Sequence, residues 1–239
     1  MIISMYGESG CGKTSIINQI DDIDGIVVRK HTDGLRRLVT SRNHPSIEKL
    51  ILGCKDDVSK IPKVLNDFLM LQHSLFMEYW SVALREYYSD TGGILICDRS
   101  PYDFYAYSMC SIDLARELSF SLGKEAYNVF TKATEVGSDV FYNSSHYFNC
   151  LGNYVSGKHM NTPSAVFSIL PLGLDTDNST DPESRTVALN ENFKRAWYQY
   201  GSDLNKEYCD KGLIIVNAMP LVDRVAFVKR EISQLLNGV

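Results

Sequence analysis

The chain has 239 residues, 44% hydrophobic and 22% charged, which suits a packed domain and excludes a disordered tail, a collagen-like chain and a coiled coil. Its 24 basic and 29 acidic residues leave a formal charge of −5, so no global positive field draws it to nucleic acid or an anionic membrane. Apolar runs stop at strand length, as in Ile94–Cys97 and Leu213–Val216, far short of the roughly 20 residues that cross a bilayer. The start Met1-Ile2-Ile3-Ser4 has no basic flank and does not read as a cleaved leader. Six cysteines (Cys11, Cys54, Cys97, Cys110, Cys150 and Cys209) are scattered with no C-x-x-C pair, so reduced thiols and a cytoplasmic setting are expected rather than disulfides or a zinc site.

Residues 1–6 are a β-prone run that ends at Gly7. After Gly12, Ile16, Ile17 and Ile20 fall on one side of a helix. The connection Gly7-Glu8-Ser9-Gly10-Cys11-Gly12-Lys13-Thr14 matches G-x-x-x-x-G-K-[ST] in the strand-to-helix setting that gives this pattern its mechanism. Its glycines let backbone N–H groups curl around phosphates, Lys13 neutralises the β- and γ-oxygens, and the Thr14 hydroxyl ligates magnesium. Gly7 through Thr14, with Ser15, are therefore the candidate ATP-binding residues.

Residues 26–28 predict a second strand, and the basic stretch Arg29-Lys30-His31-Thr32-Asp33-Gly34-Leu35-Arg36-Arg37 begins where that strand should end. Arg36 and Arg37 suit a monophosphate dianion, since a guanidinium binds phosphate bidentately; a solvated basic turn is the plainer reading. From Ser59 as N-cap to about Tyr88, Leu65, Phe68, Leu69, Leu75, Phe76, Tyr79, Val82 and Ala83 follow the 3.6-residue period and predict one long core-facing helix. Gln72 falls on that apolar stripe, where its amide could serve a donor and an acceptor on a base edge or be a hydrogen-bonded core residue.

Gly92-Gly93 breaks the chain before Ile94–Cys97, a buried-strand pattern that runs into Asp98-Arg99-Ser100-Pro101. Charge at a strand's carboxyl end marks a site in an α/β sheet. Asp98 is placed for magnesium and Arg99 for an acceptor phosphate; a structural ion pair between the two is the alternative. Residues 104–136 read as two or three helices, 139–163 show no period, and 165–170 form another strand. Residues 175–183 are polar, Leu189, Phe193, Ala196, Trp197, Tyr200 and Leu204 mark a further helix, and Leu213–Val216 precedes a closing helix marked by Leu221, Val225, Val228, Ile232 and Leu235. The alternation predicts an α/β protein of the P-loop NTPase fold: one domain, 1–239, a five-stranded mostly parallel sheet with helices on both faces, and a lid at about 173–195. Arg185, with Lys194 or Arg195, could close over transferred phosphate; a mobile polar loop with no catalytic arginine is the alternative.

No Asn-Lys-x-Asp guanine reader follows a strand, and no apolar strand ends in Asp-Glu, which favours small-molecule phosphoryl transfer. Asp98-Arg99-Ser100-Pro101-Tyr102-Asp103-Phe104-Tyr105-Ala106-Tyr107-Ser108 resembles the Asp-Arg-x-x-x-Ser-x-x-Ala-Tyr-Gln segment of thymidylate kinases, with Asp98, Arg99, Ala106 and Tyr107 in register and Asp103 and Ser108 departing. Asp98-Arg99-Ser100 also looks like the Glu-Arg-Ser motif of deoxynucleoside kinases, and Gln72 falls where those enzymes keep a base-reading glutamine. The stretch from His31 to Arg37 resembles, imperfectly, the acceptor loop of guanylate kinases. Glu8 stands one position before the acidic residue of bacterial thymidylate kinases. The layout is also similar to nucleotide kinases of large bacteriophages. The resemblance to the thymidylate-kinase and deoxynucleoside-kinase branch implies ATP- and Mg2+-dependent transfer to a deoxynucleoside monophosphate. Lys13, Asp98, Arg99 and Arg185 would be catalytic, and Arg36, Arg37, Gln72, Arg99 and Tyr107 would bind substrate. A deoxynucleoside kinase, a kinase for a modified base in DNA and a non-catalytic nucleotide-binding regulator are the alternatives. The expected partner is a small nucleotide rather than a membrane or nucleic acid, and a homodimer stays open.

Overall fold

Alternation within the first strand decides which helices cover which face of the sheet. In the computed structural model, which describes residues 1–7, 10–32, 38, 45–89, 93–135, 165–170 and 213–237, β1 (Ile2–Tyr6) turns Ile3 and Met5 to one side and Ile2 to the other. The first side packs on α1 (Lys13–Asn18) through Ile16 and Ile17, and on the last helix, α6 (Leu221–Asn237), through Val225, Val228 and Ile232. The second side packs on Phe76, Tyr79, Trp80 and Ala83 of the long helix α3 (Ile61–Ser89).

The other strands are β2 (Val28–His31), β3 (Ile94–Cys97), β4 (Ala165–Ile169) and β5 (Leu213–Val216), in the order β2-β3-β1-β4-β5 with every pairing parallel. β1 is central, with β3 on one flank and β4 on the other. Such a sheet places ligands beyond the carboxyl ends of its strands, where the order reverses. Gly7 follows β1 at that end, and Asp98 follows β3, held level by the Ser4–Cys97 register.

Helix α2 (Ile47–Leu52), the first turns of α3, α4 (Pro101–Ser121) and α5 (Lys124–Glu135) build a second apolar cluster beside the sheet, around Leu65, Phe68, Leu69, Ile112, Ala115, Ala126 and Phe130. At 29 residues, α3 is about 43 Å long, enough to serve both clusters with Gln72 at the seam between them.

Three local expectations are corrected. β2 starts at Val28 and runs through Arg29, Lys30 and His31; it is an edge strand, where charged side chains are tolerated and blunt further pairing. Ser59 does not cap the long helix. It sits inside a 3-10 turn, Val58–Lys60, and its hydroxyl donates to Asp57 at 2.6 Å. Of the two or three helices expected over 104–136 the described residues form two, and the first begins earlier than expected, at Pro101, because Pro suits a first helical turn. Cys11, Cys54, Cys97 and Cys110 are buried and in no disulfide. No helix among the described residues is long and apolar enough to cross a membrane. The lid segment 173–195, the patternless 139–163, the helix expected around Leu189–Leu204, Cys150 and Cys209 lie outside the described residues.

Candidate functional site

The glycine loop is built by backbone that other residues resist. Gly7 has φ +152°, and a Cβ there would stand 2.7 Å from both Cys11 Sγ and the Ile169 carbonyl. Gly12 caps α1 in the left-handed region, φ +96°. No side chain caps α1 and no acidic residue enters its first turn, so among the described residues no cap competes with an anion for its leading N–H groups. Lys13 is buried, and its Nζ spans the loop to the Gly7 carbonyl at 2.6 Å and to Cys11 Sγ at 3.6 Å. Gly10 lies in the loop and Thr14 and Ser15 in the first turn of α1; Glu8 and Ser9 lie outside the described residues.

Asp98 is buried at the end of β3, with its backbone N–H donating to the His31 carbonyl and its Oδ1 accepting from the Tyr79 hydroxyl at 3.2 Å. Burial first, then the nearby Cys97 and Asp98, hold the Tyr79 phenol well above its usual range, so it stays a donor to the carboxylate. The Tyr79 ring also meets that of His31, centroids 4.9 Å apart. His31 Nδ1 faces Glu86 Oε2 at 2.8 Å and so is the donor nitrogen, while its buried Nε2 has no hydrogen-bond partner.

Arg99 does not pair with Asp98. Its Nη1 lies 3.3 Å from Asp103 Oδ1 and 3.2 Å from the Tyr107 hydroxyl, with the guanidinium 5.3 Å from the centre of the Tyr107 ring. Burial pulls the guanidinium down, but Tyr107, Asp103 and Asp98 outweigh it and hold Arg99 above its ordinary value. Asp103 is fully buried, and its Oδ2 accepts from the Ser100 N–H at 2.7 Å and the Ser100 hydroxyl at 3.0 Å. Burial pushes its carboxyl up, against the pull of Arg99 and Lys13. The same carboxylate therefore anchors Arg99, caps α4 and feels the charge of the glycine-loop lysine.

Asp103, a departure from the thymidylate-kinase segment, is thus a supporting residue that sequence comparison passed over. Its signal is the Ser100-x-x-Asp103 spacing of a capping box. Replacing it by Ala should destabilise the fold by about 1–3 kcal/mol through the lost cap and the stranded Ser100 donors. Asp103→Asn, which keeps an acceptor for Ser100, should lose less. Denaturant midpoints of the two variants check the order.

Among the described residues no group of three or more His, Cys, Asp or Glu could hold a metal ion. The Thr14 hydroxyl and Asp98 carboxylate are nevertheless oxygen donors of the kind that magnesium takes, a hard cation with few protein ligands that completes its shell with water and substrate phosphate. Gln72 is half-buried on α3, and its Oε1 is buried without a partner. Seven residues along the same helical face stands Tyr79, about 10 Å up the axis. Arg36, Arg37 and Arg185 lie outside the described residues.

One further cation stands at the loop. Arg224 of α6 is fully buried and donates from Nη1 to the Cys11 carbonyl at 2.9 Å and from Nη2 to the Leu170 carbonyl at 2.7 Å. The signal in the sequence was a charged residue on the apolar stripe of the closing helix, four residues before Val228 and eight before Ile232.

No family model matches the chain, and neither does any curated protein. Solved structures do. A deoxyadenosine kinase from M. mycoides with bound dATP superposes with a TM-score of 0.51 at 15% identity, over 98% of this chain and 99% of that one. The same enzyme with the products dCMP and dCDP gives 0.50 at 14%, over 98% and 100%. Thymidylate kinase from Candida albicans gives 0.50 at 14%, over 99% and 92%. At these identities the likeness concerns architecture, and with the parallel five-stranded sheet and the glycine loop after β1 it establishes an α/β P-loop fold shared with nucleoside and nucleotide kinases.

Proposed function

We propose that the chain is an ATP-dependent kinase that transfers the γ-phosphoryl group to a deoxynucleoside monophosphate. The observation that carries this reading is the meeting of two loops: the glycine loop after β1, and Asp98-Arg99 after the adjacent β3, linked through Asp103, which feels both Arg99 and Lys13. Lys13 would neutralise the β- and γ-oxygens, and Arg99, anchored among the described residues through Nη1, would offer its remaining edge to the acceptor phosphate. Thr14 and Asp98 would hold magnesium, which supplies charge neutralisation across the transferring phosphate. An acceptor phosphate is already anionic at neutral pH, so positioning and electrostatics can provide most of the acceleration. The unpartnered Gln72 Oε1 supports an acceptor that carries a nucleobase.

A deoxynucleoside acceptor is the second reading, favoured by the buried Asp98 carboxylate, which could take the proton of a sugar hydroxyl. The solved structures that the chain resembles include a deoxyadenosine kinase and a thymidylate kinase, so the fold admits either. Product formation from nucleosides, deoxynucleoside monophosphates and oligonucleotides separates these outcomes. If Arg36 or Arg37 grips the acceptor phosphate, the double replacement Arg36→Ala, Arg37→Ala should cost about ten- to a hundredfold in kcat/KM for the monophosphate and almost nothing for a nucleoside. Equal losses on both acceptors would exclude phosphate recognition by this pair.

A further inference from the structure

The Arg224 side chain is the least solvent-exposed cation of the described residues, at 1% exposure. It is held by two carbonyls, Cys11 and Leu170, and its Nε donates to nothing. No carboxylate among the described residues pairs with it. A permanent charge buried without a counter-ion is costly, and an apolar or amide side chain of similar size would fill the space at lower cost. Burial does pull on its proton, with only Cys11 acting the other way.

What the guanidinium touches gives the charge a use. A Cβ built on Gly12 would lie 3.8 Å from Nη1, so the cation sits against the turn that launches α1. In a trans peptide the C=O and the following N–H point in opposite directions, and no cis peptide occurs among the described residues. By drawing the Cys11 carbonyl to its own side, Arg224 turns the Gly12 N–H to the opposite side of the loop. Its second contact ties that arrangement to the end of β4, the strand beside β1. The rest of α6 is anchored in the core by Val225, Val228 and Ile232, so the guanidinium is a fixed strut rather than a mobile arm.

Resting on the kinase reading above, we propose that Arg224 is the positioning residue of the phosphate loop, orienting the Cys11–Gly12 peptide and supplying a buried positive charge for which the nucleotide polyphosphate is the counter-ion. The charge assists tri- and diphosphates more than monophosphates, because the benefit grows with the negative charge in the loop. ATP also relieves a cost that the nucleotide-free fold bears, so binding stabilises the wild type more than a variant without the charge.

The test compares Arg224→Lys, Arg224→Gln and Arg224→Met by calorimetric titration with ATP, ADP and AMP and by thermal unfolding with and without ATP. Arg224→Gln keeps a donor for one carbonyl and removes the charge. It should weaken ATP binding by about tenfold, weaken AMP binding much less, and shrink the ATP-induced rise in Tm. Arg224→Lys should recover part of the ATP affinity, because the charge returns without the two-carbonyl fork. Arg224→Met, lacking both, should bind ATP most weakly. A merely structural role predicts the reverse: lower Tm without nucleotide in all three, and ATP affinity of the folded protein unchanged. That result, or an equal loss for ATP and AMP, overturns the inference. Wild-type protein that binds none of the three nucleotides overturns the kinase reading itself, whatever the variants do.

Discussion

Lys13→Met should lower phosphoryl transfer by about 10²–10³-fold, the scale of removing a preorganised charge from the transferring group, while the protein stays folded. Methionine keeps the length of the stem, so the packing of this buried position changes little. What disappears is the ammonium that bridges the loop to the Gly7 carbonyl and Cys11 Sγ. The bridge contributes order to the loop, and losing a buried hydrogen bond costs about 1–3 kcal/mol, which a moderate drop in Tm would report. The catalytic loss must exceed anything explained by the unfolded fraction, so rates are compared at a temperature where circular dichroism shows both proteins folded. Transfer within twofold of wild type under those conditions would remove Lys13 from the active site.

The parts of this molecule legible in the sequence are those where local pattern and tertiary structure agree. The glycine loop could be read because its residues answer to backbone geometry: Gly7 and Gly12 occupy conformations or spaces that a side chain would spoil. The long helix could be read because 29 residues repeat the period many times over. α2 could not, since six residues carry fewer than two turns. β2 was displaced because charge looks like a strand's end; at a sheet edge Arg29 and Lys30 reach solvent, and Arg29 also finds the Glu86 carbonyl at 2.8 Å. The candidate site divides in the same way. Lys13, Asp98 and Arg99 follow strands and announce themselves. Arg224 reaches Cys11 across 213 positions, and Glu86 reaches His31 across 55, separations at which no local pattern informs. In both Arg224 and Gln72 the usable signal is the same: a polar residue on a helix stripe that otherwise packs apolar side chains.

Asp98→Asn should reduce turnover by about 10²-fold or more, and the design of the variant separates function from folding. Asparagine keeps an oxygen that accepts the Tyr79 hydroxyl, so the 3.2 Å contact tying α3 to the end of β3 survives. The backbone bond from residue 98 to the His31 carbonyl is untouched. What is lost is the negative charge, needed for a magnesium ligand and for a proton acceptor alike. The two roles then part according to acceptor. A monophosphate needs no strong base, so the loss should be recovered in part by raising magnesium, since the defect is one of metal retention. A nucleoside hydroxyl must lose its proton, and added metal restores nothing. Tyr79→Phe provides the control: it removes the hydrogen bond but not the charge, and it should cost far less turnover than Asp98→Asn while lowering stability more, because the buried carboxylate loses a donor. If Asp98→Asn merely unfolds more readily and its folded fraction turns over at the wild-type rate, Asp98 is a structural residue, and the reading of the Asp98-Arg99 loop as the acceptor side of the site fails with it.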